Sequence, residues 1–266
     1  MPAVRCLYVD FDGTLLGAGG AVTRDGDGRF TLLGVRALEA CHRAGALVCA
    51  MSGRPRTVLH DDARILGLDD YIFEAGAGFA IGDELHWLAE PGAHGRIAAS
   101  GAPDLLLDRF QGRLEPHTPY SEGREVSHIL RGQIDVEQAR ALLREHGHDD
   151  LRLIDNGEAH HHSAALAGLP SVRLYHLLPA GISKPSGVAA HMRARGLAPA
   201  ECVAVGDSGE DLMVADVVGA LWLVANALEH DPGLGAQLTR HPNARVAEAT
   251  HGAGVYEAVV STLAQR

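Results

Sequence analysis

An α/β fold, a doubly wound parallel sheet with an α+β module inserted into it, is what this 266-residue sequence predicts. Three observations carry that expectation. Short apolar runs alternate with stretches of helical spacing at both ends of the chain. The rhythm breaks between about residues 82 and 178. Small polar motifs fall at the ends of the apolar runs, not inside them.

Residues 4–9 form the first run, and Gly13 can end it as a short buried strand. Residues 15–29 are Gly-rich and polar, as expected of a flap or loop, and 31–44 have helical spacing through Leu32, Val35, Leu38 and Cys41, closed by Gly45. A second strand over 46–51 ends at Ser52-Gly53-Arg54-Pro55, where Pro55 suits the first turn of a helix reaching about Leu66. Tyr71-Ile72-Phe73 is a third strand. This succession argues for parallel pairing with right-handed crossovers, a Rossmann-like core.

From about Gly82 the pattern changes. Residues 85–88 complete a hairpin, 97–110 and 135–146 read as helices, and 126–130, 151–154 and 172–177 read as strands. The core alternation resumes at Lys184, with a helix over 186–195, a strand over 202–205, a helix beginning near Gly209, a strand over 221–224 and a last helix over 255–263. Residues 1–81 and 179–266 are therefore expected to form the core, and 82–178 the insertion, with hinges at the Gly-rich and Pro-containing stretches 76–82 and 178–181.

Lys plus Arg number 23 against 34 Asp plus Glu, a formal net charge of −11. That balance disfavours nonspecific attraction to nucleic acid or an anionic membrane. No apolar run approaches the ~20 residues of a spanning helix, and the N-terminus leads straight into a strand without a signal-peptide pattern, so a cytoplasmic address is expected. Cys6, Cys41, Cys49 and Cys202 are dispersed and read as small buried hydrophobes. The run His160-His161-His162 reads as surface polarity, because adjacent residues of a strand cannot all point one way.

The chemistry-bearing residues share one expected edge. Asp10 and Asp12 follow the first strand, Ser52 follows the second, Lys184 begins a helix after the insertion, and Gly206-Asp207-Ser208-Gly209-Glu210-Asp211 follows the later strand. In a parallel sheet all these carboxyl ends lie on one side, where ligands bind. Close carboxylates repel unless a hard cation such as Mg²⁺ compensates, while a hydroxyl, an ammonium and helix N-termini suit a phosphate.

At these residues the chain resembles the haloacid dehalogenase superfamily of aspartate-nucleophile phosphatases, and the insertion between the Ser52 and Lys184 motifs resembles its Cof-type, class IIB branch with a C2-type cap. The resemblance implies a phosphomonoesterase acting on a small phosphorylated metabolite, expected to be a sugar phosphate. Asp10 would be the nucleophile, forming an aspartyl-phosphate, and Asp12 the acid and base. Thr14, Ser52 and Lys184 would hold phosphoryl oxygens. Mg²⁺ would be held by Asp10, the main-chain carbonyl of Asp12 and Asp207, with Asp211 a further ligand or an anchor. The cap would supply specificity, with Arg124, His128 and His161 as candidates, and cap motion about the hinges would gate turnover. Arg54 is open between binding substrate and pairing with an acid. Two departures stand out. Pro185 follows Lys184 where the family often has Gly, and Glu210 stands where many relatives have Asn, leaving open whether it turns outward, binds metal or lowers activity. Neither nucleic acid nor membrane is expected as a partner, and the chain is expected to be a monomer or homodimer. A hexose-phosphate mutase-like phosphotransferase and a noncatalytic binding protein of the same fold are the alternatives.

Overall fold

The computed structural model describes residues 3–159 and 163–264. The first apolar run becomes β1 (Cys6–Asp10), buried along its whole length because it lies at the centre of the larger sheet. β2 (Leu47–Met51) and β3 (Asp70–Phe73) follow it in parallel, and the chain then turns back through β4 (Gly78–Ile81), antiparallel to β3, and again through β5 (Glu84–Trp87), antiparallel to β4. A second sheet holds β6 (Leu114–Pro116), β7 (His128–Gly132), β8 (Leu151–Glu158) and β9 (Arg173–Pro179). The chain then re-enters the first sheet as β10 (Cys202–Gly206), β11 (Ala220–Leu223) and β12 (Ala244–Val246). The larger sheet has the order β12-β11-β10-β1-β2-β3-β4-β5, the smaller β6-β7-β9-β8.

Both faces of the larger sheet are covered, as parallel strands require. Leu7, Val9, Val203 and Val205 pack on one side with Ala37, Cys41, Val255 and Val259 from the helices Leu33–Arg43 and His251–Leu263. Tyr8, Ile72 and Ala204 pack on the other with Val188 and Met192 of the helix Lys184–Arg195. All four cysteines are buried and form no disulfide, as small apolar groups.

The smaller sheet is two-faced. Leu130, Leu153, Tyr175 and Leu177 share a cluster with Ile97, Leu106 and Leu143 from the helices Ala93–Ala99, Ala102–Arg109 and Val136–Glu145. Alternation turns Ile129, Ile154 and His176, which are cross-strand partners, the other way, toward the core. Ile154 meets Ala75 and Ala77 there.

Three expectations shift, and one strand is new. The hairpin strand β5 belongs to the larger sheet, so the insertion begins after Trp87 and not at residue 82. The Gly-rich stretch expected as a hinge holds β4, whose hydrogen bonds to β3 fix it. The helix expected over 97–110 is two helices, broken at Gly101, and the short edge strand β12 has too few apolar residues to announce itself.

The seam between insertion and core is heavily bonded. Glu74, wholly buried, accepts the amides of Glu125 (2.8 Å), Val126 (3.1 Å) and Ser127 (2.6 Å) and the Ser127 hydroxyl (2.8 Å). Arg56 pairs with Glu125 at 2.8 Å, and Arg152 with Glu210 at 3.0 Å. Among the described residues, no helix is long and apolar enough to cross a membrane.

Candidate active site

Parallel pairing of β10, β1 and β2 sets Asp10, Ser52 and Asp207 on one edge of the sheet. Lys184 reaches the same edge from the first turn of its helix, which Ser183 caps by accepting the Ser186 amide. The Lys184 ammonium is buried and sits 2.8 Å from Asp10 Oδ1 and 2.7 Å from Asp211 Oδ1. Asp211 spends its other oxygen locally, accepting the Asp207 and Ser208 amides and the Ser208 hydroxyl. The Thr14 hydroxyl lies 3.3 Å from Asp10 Oδ2 and 3.2 Å from Asp207 Oδ1, so it can donate to either. Gly13 has φ +81°, and a Cβ there would lie 2.2 Å from Asp207 Oδ2, so only glycine permits this approach.

Among the described residues, Asp10, Asp207 and Asp211 are the one group of acids whose oxygens come together, within 4.8 Å of one another. Burial pushes the Asp10 carboxyl up to about 7 even with Lys184 beside it, and burial with the charges of Asp10 and Asp211 raises Asp207 well above the usual carboxylate range. Burial opposes the charge of Lys184, but Asp10 and Asp211 outweigh it and hold the ammonium protonated. Three carboxylates meet in a largely buried place where one ammonium pairs with two of them, and that excess negative charge, offered entirely by oxygen donors, fits a divalent cation.

Asp12 stands apart from this group. Its half-exposed carboxylate accepts Arg54 Nε at 2.8 Å and Nη2 at 2.5 Å, while Arg54 Nη1 reaches Asp62 at 2.5 Å. Ser52 is buried, and its oxygen accepts the Arg54 amide at 3.2 Å, which leaves the hydroxyl proton available. Glu210 neither points at the acid group nor faces solvent. Its carboxylate pairs with Arg152 and accepts the Lys184 amide at 3.3 Å.

Of the cap candidates, Arg124 reaches the seam, where Nη1 donates to the Gly53 carbonyl at 2.9 Å and to Ser127 Oγ at 2.7 Å. His128 does not. It is the cross-strand partner of Leu177 and shares the helix-covered face of the sheet, stacked on His94 at 5.3 Å. His161 lies outside the described residues. Three residues at the seam escaped the sequence reading as site groups: Glu74, Asn156 and His176. For His176 a signal existed, a polar residue within the apolar run 174–178 at a position alternating with the helix-facing residues.

No family model matches the chain. A phosphoglycolate phosphatase of Methanoculleus marisnigri is 26% identical over 225 residues, 84% of this chain and 85% of its own length. Another of that name, from Halobacterium salinarum, is 26% identical over 254 residues, 95% of each. Among solved structures, a phosphatase of the haloalkanoate (HAD) enzyme superfamily from Bacteroides thetaiotaomicron superimposes with a TM-score of 0.65 at 18% identity, covering 98% of this chain and 95% of that one. The likeness in fold runs through core and insertion alike, and the likeness in sequence to the phosphatases covers most of the chain; the chain has the fold of the haloacid dehalogenase superfamily phosphatases and is similar in sequence to phosphoglycolate phosphatases.

Proposed function

We propose that the chain is a Mg²⁺-dependent phosphomonoesterase that hydrolyses a small phosphorylated metabolite in two steps through Asp10, with 2-phosphoglycolate the first candidate. The observation that carries this reading is the buried Lys184 ammonium between Asp10 and Asp211, with Asp207 beside them. Asp10, Asp207 and a main-chain carbonyl would hold the cation, Asp211 anchoring the loop. When bound, Mg²⁺ supplies the positive charge that lets an anionic carboxylate and an anionic phosphate approach.

In the first step Asp10 attacks phosphorus, the bond to the leaving oxygen breaks, and Asp12 gives that oxygen its proton. In the second, Asp12 takes a proton from water, the hydroxide attacks phosphorus, and the Asp10 carboxylate leaves. Lys184, Thr14 and Ser52 hold the phosphoryl oxygens in both steps. Asp12 has to give up its two hydrogen bonds to Arg54 to reach the leaving group. The substrate suggestion rests on the names of relatives that match across 84–96% of this chain, and sugar phosphates remain the second class to be screened.

Phosphate release should be measured with purified protein and Mg²⁺ over phosphoglycolate, sugar phosphates and other small esters. Turnover is expected that chelator abolishes, that Mg²⁺ restores and that Asp10→Asn reduces by about 10⁴-fold with the fold intact. No free phosphate from any ester, or an Asp10→Asn protein as active as its parent, would overturn the reading.

A further inference from the structure

We propose that Arg124, His176 and Asn156, which meet over Gly53, form a subsite for a carboxylate carried one or two carbons from the substrate's phosphate. The proposal rests on the phosphatase reading above and narrows its substrate to a phosphorylated hydroxy acid.

His176 is wholly buried, and neither ring nitrogen has a hydrogen-bond partner among the described residues. A buried polar group left unpaired costs about 1–3 kcal/mol and asks for an explanation. Burial, reinforced by the positive charges of Arg124 and Lys184, holds the imidazole neutral, so it carries one N–H donor. Asn156 sits beside it with Oδ1 unpartnered. Its Nδ2 is the atom turned to Gly53. Arg124 supplies the charge. Its bonds go to neutral acceptors, the Gly53 and Tyr120 carbonyls and Ser127 Oγ, and among the described residues no carboxylate lies within ion-pair distance of it. Glu74 is near, but its oxygens are taken by the cap amides and the Ser127 hydroxyl. A guanidinium in a closed seam without a counter-ion is an anion site, and its planar fork matches a carboxylate.

Position ties the subsite to the phosphate. Gly53 directly follows Ser52, and a Cβ at 53 would lie 2.8 Å from Asn156 Nδ2 and 2.9 Å from His176 Nε2. The three side chains therefore close down within one residue of the phosphate-binding hydroxyl.

The test compares 2-phosphoglycolate with ethyl phosphate, in which a methyl replaces the carboxylate. Calorimetric titration of the Asp10→Asn protein with Mg²⁺ present reads affinity without turnover. The acid is expected to bind about 100-fold more tightly than ethyl phosphate, as a site built around a polar group rejects an analogue lacking it. Asn156→Asp, isosteric and half-buried, should cut that ratio at least tenfold by repelling the carboxylate, and His176→Leu should cut it too. Equal affinity for the two esters, or a ratio unchanged in folded Asn156→Asp protein, would overturn the subsite. Preferential binding of the acid with no phosphate released by the parent would sink the hydrolysis reading and leave the subsite standing. Equal kcat/KM and equal binding for both esters would do the reverse.

Discussion

Arg152, on a strand of the inserted sheet, closes on Glu210 of the core with Nη1 to Oε1 at 3.3 Å and Nη2 to Oε2 at 3.0 Å, and Glu210 also accepts the main-chain amide of Lys184. The residue that departs from the family pattern thus links the inserted sheet to the backbone of Lys184. Burial raises its carboxyl above the usual range, and Arg152 holds it back toward ionisation. Arg152→Met should therefore leave a buried carboxyl without its partner and lower stability by about 2 kcal/mol, or about 5 °C in Tm. Thermal unfolding checks it. The double variant Arg152→Met/Glu210→Met should recover most of that loss, and a double variant as unstable as the sum of the singles would show that the pair does not act together.

Among the described residues Lys184 is the cation that pairs with the acid group, of which Asp10 and Asp211 are buried, and Lys184→Met should destabilise the metal-free protein by about 3–5 kcal/mol. The variant should also gain more Tm from added Mg²⁺ than its parent, because the ion then supplies the only positive charge in the group. Equal gains in the two proteins would contradict that.

Arg54 holds Asp12 through two nitrogens and is itself held by Asp62. Asp12 resists the deprotonation of Arg54, whose guanidinium burial alone would pull down and whose two carboxylate partners push up. Arg54→Met is expected to lower kcat about tenfold, with KM within about twofold, because the acid loses its orienting partner while the phosphate contacts stay. Steady-state kinetics decides. A large rise in KM with kcat unchanged would make Arg54 a substrate-binding group.

Asp70 gives the chain an acid-sensitive element far from the site. Burial disfavours its charge, but hydrogen bonds from His191 (2.9 Å) and Arg195 (2.8 Å) outweigh burial and lower its pKa. The unfolded carboxyl titrates near about 3.9, so below that pH the unfolded chain binds the proton more readily. Stability is then full above about pH 4 and drains away as the pH falls through the lowered folded value. Denaturant unfolding at pH 5, 4 and 3 should show that slope, and Asp70→Asn should flatten it.

The core and its acid group were legible because they depend on local pattern. Apolar runs with motifs at their ends bring Asp10, Ser52, Lys184 and Asp207 to one edge as soon as the strands pair in parallel. The seam was not legible. Glu74 gains its role from amides more than fifty residues later, and no spacing in the sequence records that pairing. His176 stands out as a polar residue in an apolar run, but it is the register with Ile129 and Ile154 that shows which face it joins. The face that His128 joins was hidden for the same reason, since one step along β7 separates the helix-covered face from the face over Gly53.

Glu74 also bears on how this protein can be taken apart. Its carboxylate fills with donors from 125–127, so that tripeptide belongs energetically to the domain it touches and not to the segment of chain that carries it. A chimera that trades the inserted segment for a homologue's, cut at the covalent boundaries alone, inherits an empty socket in its floor. The transplantable unit is the insert together with position 74, and grafts that respect that boundary are the ones that should fold.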